Sequence, residues 1–339
     1  MDVYSGRRRW RASLLAAVVG LSAGLLTPAP PAAASETTAS PPAQPLTGPG
    51  GSSYRHAGYT TVSGGTGIDA WYVFLPAAPS PTTAPVSVIV HGYGDYSGYN
   101  QMHALVEHTV KQGSIVIYPR WQTCLICPLP DKEQPLRAAA NGIKGALAWL
   151  AGSAGGVRPR LDRTAYFGHS FGGMITVNLA NRWASLGLPQ PATVMLDEPE
   201  GGPVGNLYDA DLSGIPATTK FSCLVSDWYA VNEPGDGCYH FWGRIAHIPS
   251  SGKDFVLVHT DRHGTPELVA EHGMSAGTAT DAIDYFAVWK LWDGLRSCVL
   301  DGRDCAQALN GSPEHRDMGK WSDGVPVTPL SVADVPISS

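Results

Sequence analysis

The sequence predicts an α/β fold: a doubly wound, mostly parallel sheet with helices on both faces. Three observations carry that expectation. Short β-branched and aromatic runs alternate with helical patterns from Val86 onward, as parallel strands joined by crossover helices must. Val86 to Val90 is almost continuously apolar, which suits a strand buried on both faces. The 339 residues are 43% hydrophobic and only 15% charged, enough apolar material for one large core in a single domain.

Along the chain, Arg7, Arg8, Arg9 and Arg11 precede an apolar run from Ala12 to Leu26 and small residues at Ala32 and Ala34. That order describes a secretory signal over 1–34, with a run too short for the roughly 20 residues of a membrane span. No retained membrane anchor is therefore expected. Arg7 and Arg8 followed by Trp10 loosely resemble a twin-arginine signal, and the export route stays open. Residues 35–53 are rich in Pro, Ser, Thr and Gly and predict a flexible leader. The folded domain is expected over 54–310.

Within it, strands are expected at Tyr59–Val62 and Trp71–Leu75, pairing antiparallel at the sheet edge, and then at Val86–Val90. Tyr99, Met102, Leu105, Val106 and Val110 share one helical face, and Gly113 stands where a helix stop belongs. Ser114–Tyr118 predicts the next strand. Ala139, Ile143, Ala146, Leu147 and Leu150 repeat at helical spacing before a strand at Thr164–Phe167. Further strands are expected at Ala192–Leu196, Phe221–Val225 and Phe255–Val258. A final amphipathic helix is expected over Thr280–Leu295, with Thr278 and Asp281 as its capping box. Residues 311–339 lack a clear period and predict a surface tail or a short extra strand.

An exported chain meets an oxidising compartment, and six cysteines allow three bridges in fifteen pairings. Proximity favours Cys124 with Cys127, Cys223 with Cys238 and Cys298 with Cys305. The Cys124-x-x-Cys127 spacing lacks the second ligand pair that a zinc site needs.

The sharpest chemical signal is Gly168-His169-Ser170-Phe171-Gly172, set between the strand ending at Phe167 and the helical stretch Met174–Trp183. A serine on such a strained strand-to-helix turn projects its hydroxyl above the sheet. It is a weak nucleophile without a base, and the base needs an acid to orient it. Asp227, directly after the Phe221–Val225 strand, is the expected acid, with Asp236 and Asp197 as alternatives. His263, in the loop after Phe255–Val258, is the expected base; His259 continues that strand, His272 lies further on, and His240 and His247 precede it. The backbone N–H groups of Tyr93, in His91-Gly92-Tyr93-Gly94, and of Phe171 are the expected oxyanion donors. Trp228 and Tyr229, beside Asp227, are expected to line the substrate cleft.

Taken together, His91-Gly92-Tyr93, Gly168-His169-Ser170-Phe171-Gly172-Gly173 and Asp227-Trp228-Tyr229-Ala230 resemble the α/β-hydrolase superfamily over about Tyr54 to Ser297. Within it they are similar to secreted bacterial esterases, lipases and cutinase-like polyester hydrolases. The resemblance implies an extracellular serine hydrolase acting on small or polymeric esters, with acyltransferase, thioesterase or peptidase chemistry as alternatives for the same constellation. A non-catalytic binding protein of this fold is the reading from another class; such proteins usually lack the serine or the histidine. Asp197 to Lys220 is too short and too rich in Gly, Pro and Asp for a helical cap, so no large lid domain is expected. A net charge of -6 without a basic cluster in the body of the chain argues against nucleic acid. A monomer is expected, with no cofactor or metal, since no phosphate-binding glycine loop or H-E-x-x-H spacing occurs.

Overall fold

The computed structural model describes residues 38–124, 132–153, 156–200 and 207–337. The predicted signal, and Cys127 with its expected bridge to Cys124, lie outside the described residues. All described residues belong to one compact unit.

Nine strands form one sheet: β1 (Gly58–Gly64), β2 (Trp71–Ala77), β3 (Thr83–Val90), β4 (Ile115–Pro119), β5 (Arg158–His169), β6 (Pro191–Asp197), β7 (Lys220–Ser226), β8 (Lys253–Val258) and β9 (Ser331–Ala333). Their spatial order is β1-β2-β4-β3-β5-β6-β7-β8-β9. The six strands from β4 across to β8 are mutually parallel, while β1, β2 and β9 pair antiparallel at the edges. The helices are α1 (His103–Lys111), α2 (Glu133–Gly152), α3 (Phe171–Asn181), α4 (Trp183–Leu186), α5 (Asp227–Asn232), α6 (Gly237–Phe241), α7 (Trp289–Asp301) and α8 (Pro313–Arg316).

Strand side chains alternate between faces, and that alternation divides the core in two. Val86, Val88 and Val90 of β3 and Ile115 and Ile117 of β4 pack with Ile143, Ala146 and Leu150 of α2 and Ile175 and Leu179 of α3. Ile89, Val116, Tyr118 and Phe167 point the other way, into a cluster with Leu105 and Val110 of α1 and Leu291, Trp292 and Leu295 of α7. Both faces are dry, so the central strands read as unbroken apolar runs. Helices on both faces are thus observed as expected.

Two local expectations are corrected and one alternative is decided. Residues 38–53 do not trail as a flexible leader: Ala39 is buried, its carbonyl accepts from Thr265 N–H at 2.8 Å, and Gly50 N–H donates to Asp293 at 2.9 Å. Few apolar side chains are needed, because backbone groups do the anchoring. In the last stretch, of the two expected outcomes, it is the short extra strand that is observed: β9 extends the sheet beside β8, with Met318, Trp321, Val327 and Leu330 buried around it. The cap of the last helical segment lies three residues later than expected. Asp281 accepts from Ile283 N–H, and Asp284 reaches back to Asp281 N–H, at 2.7 and 2.9 Å; two carboxylates suit the positive start of a helix.

Cys223–Cys238 and Cys298–Cys305 pair as expected, with Cα separations of 6.5 and 4.7 Å. The first joins β7 to α6; the second closes the end of α7. Two such pairs fit an oxidising compartment. No helix among the described residues is long and apolar enough to cross a membrane.

Candidate active site

Ser170 sits between the end of β5 and the start of α3, with φ 54° and ψ -130°. A non-glycine residue in that region costs of order 1–3 kcal/mol and persists only where its surroundings enforce it. The surroundings are dense: a Cβ on Gly172 would collide with the carbonyls of Val90 and His91, and one on Gly92 would approach Ser170 Cβ to 2.9 Å. Ser170 N–H donates to Asp197 O at 3.0 Å, and Ser170 O accepts from Glu200 N–H at 3.0 Å and Gly173 N–H at 2.8 Å. The strand-to-helix turn is thereby tied to the segment leaving the neighbouring strand β6.

That segment carries Glu198, whose own backbone has φ 43°. Its N–H donates to Leu224 O of β7 at 2.9 Å, and its Oε1 accepts from Ser226 N–H at 2.8 Å. The fully buried carboxylate is held by the adjacent strand and has one oxygen left over.

The leftover oxygen meets a histidine. His272 Nδ1 lies 2.9 Å from Glu198 Oε2, and His272 Nε2 lies 2.9 Å from Ser170 Oγ. Among the described residues neither Nδ1 nor Oε2 has another polar partner, so each depends on the other. A carboxylate beside Nδ1 holds the proton there and leaves the Nε2 lone pair facing the serine hydroxyl. The ring stacks on buried Tyr229 with an interplanar angle of 16°, and Tyr229 Oη donates to Pro199 O at 3.0 Å. Glu200 Oε1 approaches Nε2 from the open side at 3.5 Å. Burial disfavours the imidazolium, but Glu198, Glu200 and Asp197 outweigh it and hold the His272 pKa above the usual histidine value. The Glu200 carboxyl is itself pushed up by burial; His272 opposes that shift, while Asp236 and Glu233 add to it.

A second layer supports the histidine loop. His169 Nδ1 pairs with Asp197 at 2.8 Å, and Ser275, three residues beyond His272, donates to the same carboxylate. On the opposite side of Ser170, Trp121 stacks between His91 and Phe171, with ring centroids 5.0 Å from each. Trp121 Nε1 donates to His91 O at 3.0 Å. The amides of Gly92 and Gly94 are pinned by the side-chain oxygens of Gln101 and Gln122 at 2.7 and 2.8 Å, so Tyr93 lies between two fixed points. Phe171 opens α3, where a first-turn N–H has no partner within the helix. Both expected donor residues therefore flank Ser170 on ordered backbone.

The expected base and acid are not brought to the serine. His263 Nε2 pairs with Asp323 at 2.7 Å on the surface. Asp227 starts α5 and accepts from Thr260 N–H and Oγ at 2.8 and 3.1 Å, linking the ends of β7 and β8. The reason is lateral distance. Strands are about 4.8 Å apart, so the end of β7 stands two strands from Ser170 and the end of β8 three. The loop that carries His272 reaches back across this edge to Ser170. Of the expected cleft residues, Trp228 is 45% exposed and its ring centroid lies 6.5 Å from that of His272, whereas Tyr229 is wholly buried and supports the histidine instead. Signals for the missed pair existed in sequence: His272 is followed by Gly273 in an irregular stretch before the last helix, and Glu198 is adjacent to the alternative Asp197.

Among the described residues no group of three or more His, Cys, Asp or Glu side chains could hold a metal ion. No protein-family model matches the sequence, and no curated protein matches it significantly.

Proposed function

We propose that this chain is an exported serine hydrolase of the α/β-hydrolase fold, cleaving carboxylic esters through an acyl-enzyme on Ser170. The observation that carries the reading is the continuous contact Ser170 Oγ–His272 Nε2, His272 Nδ1–Glu198 Oε2, at 2.9 Å in each step, on a serine with strained backbone. The chain order nucleophile, acid, base matches that of the superfamily, although acid and base differ from Asp227 and His263. The parallel sheet, and a nucleophile at the carboxyl end of a central strand, support the same assignment.

In the first half-reaction Ser170 Oγ bonds to the ester carbonyl carbon as its proton passes to His272 Nε2. The carbonyl π pair moves to oxygen, where the Tyr93 and Phe171 amides donate to the oxyanion. Collapse breaks the bond to the alcohol oxygen, which leaves with the proton from Nε2. A water then gives its proton to Nε2 and its oxygen to the acyl carbon, and collapse restores the Ser170 hydroxyl with release of the acid. Glu198 stays ionised and stabilises the imidazolium in both halves. Trp228 and Tyr93, exposed beside the two ends of this arrangement, would receive the ester, small or extended.

The test is release of acid and alcohol from a chain-length series of p-nitrophenyl esters. Wild-type protein should turn these over, and Ser170→Ala should not. Equal rates for the two proteins would remove the proposal.

A further inference from the structure

Glu200 has no duty in that reaction as derived. Glu198 already holds Nδ1, and Ser170 already occupies Nε2, yet a second carboxylate stands 3.5 Å from Nε2 on its solvent side. The position is built: Glu200 N–H donates to Ser170 O at 3.0 Å, so its backbone is fixed to the nucleophile's own residue. Its side chain is 37% exposed, and among the described residues its ion pair is with His272 alone. The following residues, Gly-Gly-Pro-Val-Gly-Asn, carry no charge. Glu233, just past α5, and Asp236, just before α6, add negative potential at the Glu200 carboxyl.

From the remaining sides the His272 ring faces buried Glu198, the Asp197–His169 pair with Ser275, and the Tyr229 ring. In the neutral resting state, the imidazole hands no net positive charge to the cleft. An ester lying on Ser170 therefore has Glu200 beside it as an ionised group that, among the described residues, pairs with no Lys or Arg. Trp228, exposed next to the same ring, offers an aromatic face of the kind that receives alkylammonium groups.

We propose that Glu200 is a specificity-determining residue that sets the charge preference of this site, favouring esters with a fixed cation near the scissile bond and rejecting those with a carboxylate there. This rests on the serine-hydrolase reading. A unit charge roughly 7 Å from Glu200 in a half-solvated cleft changes binding by about fivefold to tenfold. The cation-to-carboxylate ratio, spanning two unit charges, should be on the order of tens at low ionic strength and shrink as salt is added.

The experiment uses three p-nitrophenyl esters of matched length: pentanoate, 4-(trimethylammonio)butanoate and the glutarate half-ester. Values of kcat/KM are compared at low and high ionic strength, at a pH above the titrations of His272 and Glu200. The expected order is cation, neutral, carboxylate. Glu200→Gln should lower the cation-to-carboxylate ratio by about tenfold or more, and Glu200→Lys should invert it. A ratio near one in the wild type at low salt, or one that Glu200→Gln leaves unchanged, overturns the proposal. The wild-type salt dependence decides the matter even if a variant fails to fold. Failure of the wild type to hydrolyse all three esters would instead overturn the reading on which the proposal rests.

Discussion

Two of the histidine–carboxylate pairs among the described residues stand at opposite ends of the parallel strands, and they are built for different ends. At the carboxyl end, His272 meets Glu198 through one nitrogen and Ser170 through the other. At the amino end, His108 Nε2 pairs with Asp293 at 2.8 Å, its ring stacks on Trp289, and its Nδ1 lies 3.2 Å from Tyr54 Oη. Asp293 also accepts from Gly50 N–H and Arg296. A cavity of about 330 Å³ even adjoins it, lined in part by Arg55, Arg160 and Arg296. What the amino-end cluster lacks is a strained turn presenting an uncommitted hydroxyl. The nearby Ser114 and Thr109 hydroxyls instead accept from Arg296 and Trp292. A histidine beside a carboxylate is thus a structural tie unless its second nitrogen faces a nucleophile.

The contrast is sharpened first at the acids. Glu198→Gln should lower kcat by about a hundredfold to ten-thousandfold, because the amide can no longer hold the productive tautomer and its charge. Asp227→Asn, at a carboxylate that accepts from Thr260, should stay within a few-fold of wild type. Steady-state kinetics on one ester measures both, and a reversed pattern would break the assignment.

Asp293→Ala should do the opposite, destabilising the fold by about 3–5 kcal/mol by leaving Arg296 buried without its partner, while correctly folded molecules keep their turnover. Burial pushes the Asp293 carboxyl up, but His108, Arg296 and the Gly50 amide outweigh it and hold its pKa far below the ordinary value. The stabilisation is therefore complete above the unfolded pKa of about 3.9 and is lost as pH falls below it. Urea melts across acidic pH should show a steeper loss in the wild type than in Asp293→Asn.

Next in size is the Cys223–Cys238 bridge, which encloses the stretch bearing Asp227, Trp228 and Tyr229. Closing a loop of 15 residues is worth about 3 kcal/mol in the chain-entropy description. Since Tyr229 is the stacking support of His272, reduction should impair turnover before it melts the core, read by activity and near-ultraviolet dichroism on the same sample.

The smallest effect is on the pH profile. Turnover needs neutral His272, so the rate should fall as pH drops through a pKa above the usual value of about 6.5. Removing a carboxylate favours the neutral ring; Glu200→Gln should therefore shift this acid limb to lower pH. A shift upward, or none, would contradict the electrostatic account of His272.

The parallel strands were legible in sequence because burial on both faces leaves uninterrupted runs such as Val86–Val90, and Ser170 was legible because close packing admits only glycine at positions 168 and 172. The proposed base and acid were not. His272 reaches the serine through an irregular loop whose course no periodicity records, and strand-end placement alone pointed to His263. Glu198 was masked by its neighbour Asp197 and by the expectation that the acid follows β7. The anchoring of residues 38–53 was hidden because it uses backbone donors such as Gly50 N–H rather than an apolar pattern.

The most direct test of the central claim is the rate at which a fluorophosphonate labels Ser170 in wild type, His272→Ala and His263→Ala. The account predicts rapid wild-type labelling, a fall of several orders of magnitude in His272→Ala, and wild-type labelling in His263→Ala, whose histidine pairs with Asp323 on the surface. Loss of labelling in His263→Ala with retention in His272→Ala would contradict it.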